Sequence, residues 1–151
     1  MGAHEGAAEY FKRISELKTK KDKIQELRKP VDYSSIYEAI VDLCYNKKYI
    51  WLLPNAPAPV VKKQPKAADL QTMLFSSMRK IKPFLAQNGY DNISRTRREQ
   101  LWLQFLESLD PDDVDLMESI RLRKMPYKSL NQKLFEEAFP NLLEKWRSVK
   151  N

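Results

Sequence analysis

At 151 residues, with 42% hydrophobic and 31% charged side chains, the chain is long enough for one domain with one core and too short for two ordinary ones. This composition excludes disorder driven by polarity, and no apolar run approaches the roughly 18 residues that a membrane span needs. A net charge of +7 and a pI near 9.4 favour anionic partners by field and steering, without naming them.

The first residues, MGAHEGAAEYF, lack the basic-then-apolar pattern of an export signal, and a myristoylation motif fails at Gly6, where Ser or Thr is required. Neither export nor a lipid anchor is expected. Glu9 to Arg28 places Tyr10, Ile14, Leu17, Ile24 and Leu27 near a helical period, with Thr19 as an internal cap, so it reads as one interrupted helix or two short ones. The run Lys18, Lys20, Lys21 and Lys23 reads either as a solvated face or as an anion-contacting arm. Lys29-Pro30 ends the element, because proline disfavours helical geometry in the residue before it.

Ser34 or Ser35 then caps IYEAIVDLCYNKKY, with Glu38 in the capping-box relation to Ser35. Ile36, Ala39, Ile40, Leu43 and Cys44 form its inward face. Cys44 is the single cysteine, so no internal disulfide is available; its apolar neighbours mark a buried thiol rather than a nucleophile. Tyr33 and Tyr37, and Tyr45 and Tyr49 with Lys47 and Lys48 between them, have two readings. They are base-stacking aromatics among phosphate-holding lysines, or core-edge tyrosines.

YIWLL, residues 49–53, is a short apolar run with no partner strand in view, and an extended or final helical segment burying Trp51 is expected. Residues 54–66 hold four prolines with Lys62, Lys63 and Lys66 and no acid, which reads as an irregular or polyproline-like linker. It divides the chain into an N-terminal helical half, 1–53, and a C-terminal helical half, 67–151, within one structural domain. Ala67 to Gln87 reads as a helix with Leu70, Met73, Leu74, Met78, Ile81 and Leu85 inward, kinked or ended by Pro83, and Asn88-Gly89 as a turn.

Ser94 to Arg123 is the organising element: two amphipathic helices broken once at Asp110-Pro111. Ser94 caps the first, and Asp110, Pro111, Asp112 and Asp113 supply cap, first-turn proline and acids to the second. Leu101, Trp102, Phe105, Leu106 and Leu109 face Val114, Met117 and Ile120 across it. Pro126 stops the segment that follows, Ser129 with Gln132 starts LNQKLFEEAF, and Pro140 separates it from a last short helix. The expected fold is all-α, a single compact domain of about six helices around this antiparallel hairpin.

Charge is unevenly spread. Arg79 to Arg98 holds six basic residues against one acid, whereas Leu101 to Ile120 holds six acids and no Lys or Arg. Arg95, Arg97 and Arg98 stand in a helical first turn, facing the positive dipole end, and call for an acidic neighbour, a phosphate or an acidic partner surface.

The chemistry of common enzymes is missing from the sequence. His4 is the only histidine, three glycines leave no phosphate-cradling loop, and zinc ligands are lacking. Asp110, Asp112, Asp113 and Asp115 lack the glycine and final glutamate of a calcium loop. No cofactor, no metal and no catalytic residue is assigned, and a binding protein is expected rather than an enzyme.

The phrases KTKKDKIQEL, YIWLLPNAPAP, NISRTRREQLWLQFLESLDPDDVDLMESI and KSLNQKLFEEAFPNLL resemble a family of small helical proteins of T4-like tailed phages, notably cyanobacterial myoviruses. The likeness covers roughly four fifths of the chain; the Pro-Lys linker is longer here. It implies a phage-encoded protein in the cytoplasm of an infected bacterium and carries over no functional residue. The leading expectation is an accessory protein binding nucleic acid or a nucleoprotein assembly through Lys62, Lys63, Arg79, Lys80, Arg95, Arg97 and Arg98, by phosphate contact. The alternative is a protein-interaction module, an adaptor or inhibitor of a host or phage complex or a virion part, using exposed aromatics and the acid-rich second helix.

Overall fold

Local chain chemistry accounts for most of the helix boundaries in the computed structural model, which describes residues 5–54, 61–63 and 73–148. Helix α1 (Ala7–Ser15) stops before Thr19, whose hydroxyl accepts the Asp22 N–H at 3.1 Å and starts α2 (Lys20–Arg28). Helix α3 spans Ser34–Tyr45, and α4, Met73–Ser77, runs directly into a 3-10 helix over Met78–Phe84. The hairpin follows as α5 (Arg95–Glu107) and α6 (Pro111–Arg121), then α7 (Gln132–Ala138) and α8 (Pro140–Ser148). The described residues thus form eight α-helices and one 3-10 helix against about six expected: Thr19 and Pro140 divide the chain as read from the sequence, and the stretch around Pro83 separates into α4 and the 3-10 helix.

The fold is all-α and the core is one. The N-terminal and C-terminal halves do not fold apart: α1 and α3 pack on α6, and α2 packs on α7, so residues from both sides of the linker share a single apolar cluster. The hairpin lies at its centre. Trp102, Phe105, Leu106 and Leu109 are buried against Val114, Met117 and Ile120, while Leu101 stays partly open. At roughly 1.5–3 kcal/mol for each large apolar side chain buried, this seam alone outweighs any polar contact in the hairpin. A cross-link adds direction: the Trp102 indole N–H donates to Glu118 Oε2 at 2.7 Å, and Arg121 holds the same carboxylate from its own helix.

Both hairpin caps form as read, with Ser94 Oγ accepting the Arg97 N–H and Asp110 accepting the Asp112 N–H. Two other caps differ. Ser34 turns back to Val31, donating to its carbonyl and accepting its N–H, which leaves Tyr33 as an N-cap of α3 without side-chain help. Helix α7 is capped by Asn131, accepting the Leu134 N–H at 2.9 Å, because the Ser129 hydroxyl is committed to the Ser15 carbonyl.

YIWLL does find an extended neighbour. Trp51 forms an isolated antiparallel bridge with Leu85, through Leu52 N–H to Phe84 O (2.8 Å) and Ala86 N–H to Ile50 O (2.9 Å). The predicted helix over 67–87 is α-helical only to Ser77 among the described residues, and Leu70 lies outside them. Beyond Ser77 the chain tightens into 3-10 geometry around Pro83, whose missing N–H would leave a gap in an α-helical ladder. Gly89 has φ of 88°, the left-handed conformation that the Asn88-Gly89 turn uses.

The four tyrosines resolve to the core-edge reading. Tyr37 is 3% exposed, donates its hydroxyl to the Glu5 carbonyl and stacks on Tyr10 at 3.7 Å. Tyr33 stacks on Phe75, Tyr45 packs against Phe135 and Trp146, and the Tyr49 hydroxyl donates to Asp42. Asp42 is buried and fully used, also accepting from Asn46 and the Trp146 indole.

Candidate nucleic-acid interface

The 3-10 helix sorts its sequence, MRKIKPF, by a period of three. Met78, Ile81 and Phe84 turn inward and are buried, which leaves Arg79 and Lys82 eclipsed on the outer side with Lys80 beside them. All three cations are exposed, and they line one side of a cavity of about 420 Å³. Helix α5 supplies the opposite wall through Leu101, Gln104, Phe105 and Ser108, the i, i+3, i+4, i+7 face of that helix. Tyr90, 42% exposed, also lines the cavity, from the turn between the two elements. The floor is apolar, from Pro83, Phe84 and Phe105. No acid is among the lining residues, so nothing there offsets three clustered positive charges.

Arg98 fixes this shape and does not face the solvent. The residue is 7% exposed, and its guanidinium donates to the carbonyls of Pro83 (3.0 Å), Tyr90 (2.9 Å) and Asp91 (3.2 Å), tying the 3-10 helix and the turn at Tyr90 to α5. Arg98 is therefore corrected from an anion contact to a scaffold residue: its donors are spent on carbonyls that no α-helical ladder satisfies.

The other sequence-selected cations separate into groups. Arg79 and Lys80 join Lys82 at the groove. Arg95 pairs with Glu99 one turn along α5, at 3.4 Å on an exposed face. Arg97 is exposed with no acid paired to it among the described residues; it is not one of the residues that line the groove, but Leu101 and Gln104, which do, are its i+4 and i+7 neighbours on α5. Lys62 and Lys63 belong elsewhere: the Lys62 N–H donates to Glu107, and the Lys63 ammonium pairs with Asp115 at 2.8 Å. They stand over the acids of the hairpin. Sequence reasoning selected neither Lys82, Tyr90 nor the α5 lining residues as site residues. The period-three pattern of MRKIKPF was the available signal, since it separates the basic edge from the apolar one.

The acidic side carries a different chemistry. A second cavity of about 360 Å³ is lined by Glu9, Lys12, Asp112, Asp115 and Tyr127 with apolar neighbours. Behind it, Asp113 is 1% exposed and Oδ1 accepts the Ala8 N–H at 2.9 Å, serving α1, whose N-cap Gly6 has no side chain to offer. Burial pushes the Asp113 carboxyl up to about 7; the Ala8 N–H pulls it down, and the charges of Asp110, Asp112 and Glu9 push it further up. Among the described residues no group of three or more His, Cys, Asp or Glu is arranged to hold a metal ion. No helix described is long and apolar enough to cross a membrane. Cys44 is buried, and burial pushes its thiol up to about 12, so it carries no nucleophilic chemistry at neutral pH.

No curated protein and no solved structure matches the chain. Residues 11–127, from α1 through the hairpin and including every residue of the groove, match the family described as Family of unknown function (DUF6433). The chain belongs to that family.

Proposed function

We propose that the protein is a non-enzymatic nucleic-acid-binding protein that contacts phosphates through Arg79, Lys80 and Lys82, with Arg97 continuing the contact along α5. The observation that carries this reading is the groove itself: three exposed cations on one edge, an apolar floor, and no acid among the lining residues. Phosphate contact of this kind gives affinity with weak sequence preference. The resemblance to proteins of T4-like phages supports a setting in the cytoplasm of an infected bacterium.

The protein-interaction alternative draws less support. Among the described residues, Val31, Ile50 and Tyr90 are the large hydrophobic side chains left exposed, and such residues on their own do not make the contiguous patch of several hundred Å² that marks a docking face. The test is fluorescence anisotropy of labelled DNA and RNA with wild type, with Arg79→Gln/Lys80→Gln/Lys82→Gln, and with Lys62→Gln/Lys63→Gln. The groove variant should lose most of the affinity, and the linker variant should bind nearly as wild type does. Equal losses in both would refute the assignment.

A further inference from the structure

We infer that the groove takes single-stranded nucleic acid, with one unstacked base seated on the apolar floor while the flanking phosphates lie along Arg79, Lys80 and Lys82. This rests on the phosphate-contact reading above and narrows it to one class of ligand. A cavity of about 420 Å³ falls within the roughly 300–1,000 Å³ range of ligand pockets, ample for one planar ring system. Its lining is sorted as such a ligand requires. Leu101, partly open, and the exposed Tyr90 supply accessible apolar surface over the buried rings of Phe84 and Phe105, and Gln104 offers an amide donor and acceptor for a base edge.

A duplex has no use for this arrangement. Its bases are stacked and paired, so it shows phosphates and base edges but no free ring face, and would leave the floor of the groove empty. An extended single strand satisfies both parts at once, because each base leaves the backbone beside its own phosphate. Arg79 and Lys82, eclipsed one 3-10 turn apart, stand about 6 Å from each other along the helix axis, close to the spacing of successive phosphates on such a strand. Arg98 makes the site rigid by holding Pro83 and Tyr90 to α5.

The experiment compares a labelled single strand of deoxythymidines, an abasic strand of the same length and a duplex, each by anisotropy at about 50 mM salt. The wild-type protein should bind the dT strand at least about fivefold more tightly than the abasic strand, the lower end of what one stacked base contributes. Gln104→Trp, which fills the groove, and Tyr90→Ala, which removes its exposed ring but keeps the carbonyl that Arg98 holds, should each bring that ratio close to one. Both variants are checked for an unchanged thermal melt by circular dichroism. Equal binding of dT and abasic strands, or tighter binding of the duplex, would overturn the base-pocket inference and leave the phosphate reading standing. No binding of any of the three would overturn both, and would leave an acidic peptide as the ligand class for the groove.

Discussion

Replacing Asp113 by Asn should remove a large pH dependence from the stability of this protein. The carboxyl is buried, Oδ1 caps α1 through the Ala8 N–H, and Oδ2 has no hydrogen-bond partner among the described residues. Its pKa is raised to about 7 from the ordinary value of 3.8, first by burial and then by Asp110, Asp112 and Glu9, against the opposing pull of the Ala8 N–H. Between those two values the folded protein holds a proton that the unfolded chain has released, so stability falls as pH rises toward 7 and levels off above it. Each pH unit in that window is worth up to about 1.4 kcal/mol, and the interval from pH 5 to pH 8 contains about 2 to 3 kcal/mol of the loss. Asparagine keeps an oxygen for Ala8 and cannot ionise.

Urea melts of wild type and Asp113→Asn at pH 5, 6, 7 and 8, at constant slope, give the difference directly. Wild type should lose about 2 to 3 kcal/mol relative to the variant across that range. The subtraction matters because Glu26 has the opposite sense: hydrogen bonds from Lys29 and Arg13 lower its pKa, so its contribution is lost as pH falls. A difference that stays flat, or one in which wild type gains on the variant as pH rises, would mean that Asp113 is ionised in the folded protein throughout this range.

Arg98→Met should destabilise the fold by roughly 2 to 4 kcal/mol in urea, since three carbonyls lose a charged donor, and Arg98→Lys should restore little because an ammonium cannot fork to both walls. Cys44 should fail to react with a thiol reagent in the native protein at pH 8 and react fully in denaturant; rapid native labelling would contradict its burial and its raised pKa of about 12. Leu106→Ala, at a fully buried position on the hairpin seam, should cost about 2 to 5 kcal/mol in the same melts, and a cost below about 1 kcal/mol would mean that the seam is not the centre of the core.

What the sequence made legible was set locally. Thr19, Ser94 and Asp110-Pro111 announce helix starts because each cap bonds only two or three residues along its own chain. The hairpin seam was legible for a similar reason, since its apolar residues repeat at the α-helical period. Where a cap had a competitor from another part of the chain, the reading failed: Ser129 is drawn to Ser15, 114 residues away, and Asn131 takes over.

The arginines were the least legible. In sequence, Arg98 belongs to a basic cluster; in the fold it is a buried staple, as is Arg121, which donates to the Pro54 carbonyl while holding Glu118. Arg123 reaches the carbonyls of Asn46 and Tyr49, and Arg28 those of Glu137 and Ala138 at the end of α7. A chain with so much irregular connection has many carbonyls outside any ladder, and guanidinium groups are the donors that meet them. Composition cannot separate those arginines from the ones left facing solvent. The groove was half legible: its cations were in view, but the α5 wall and Tyr90 are brought to it only by the packing of the 3-10 helix on α5.

Whether Arg79, Lys80 and Lys82 contact phosphate is read from the salt dependence of binding. The slope of log affinity against log salt counts the phosphates neutralised, at about 0.7 per contact for a single strand. Wild type and Arg79→Gln/Lys80→Gln/Lys82→Gln should therefore differ in slope by about 2, with the variant the shallower. Identical slopes for the two proteins would mean that these three cations do not contact phosphate.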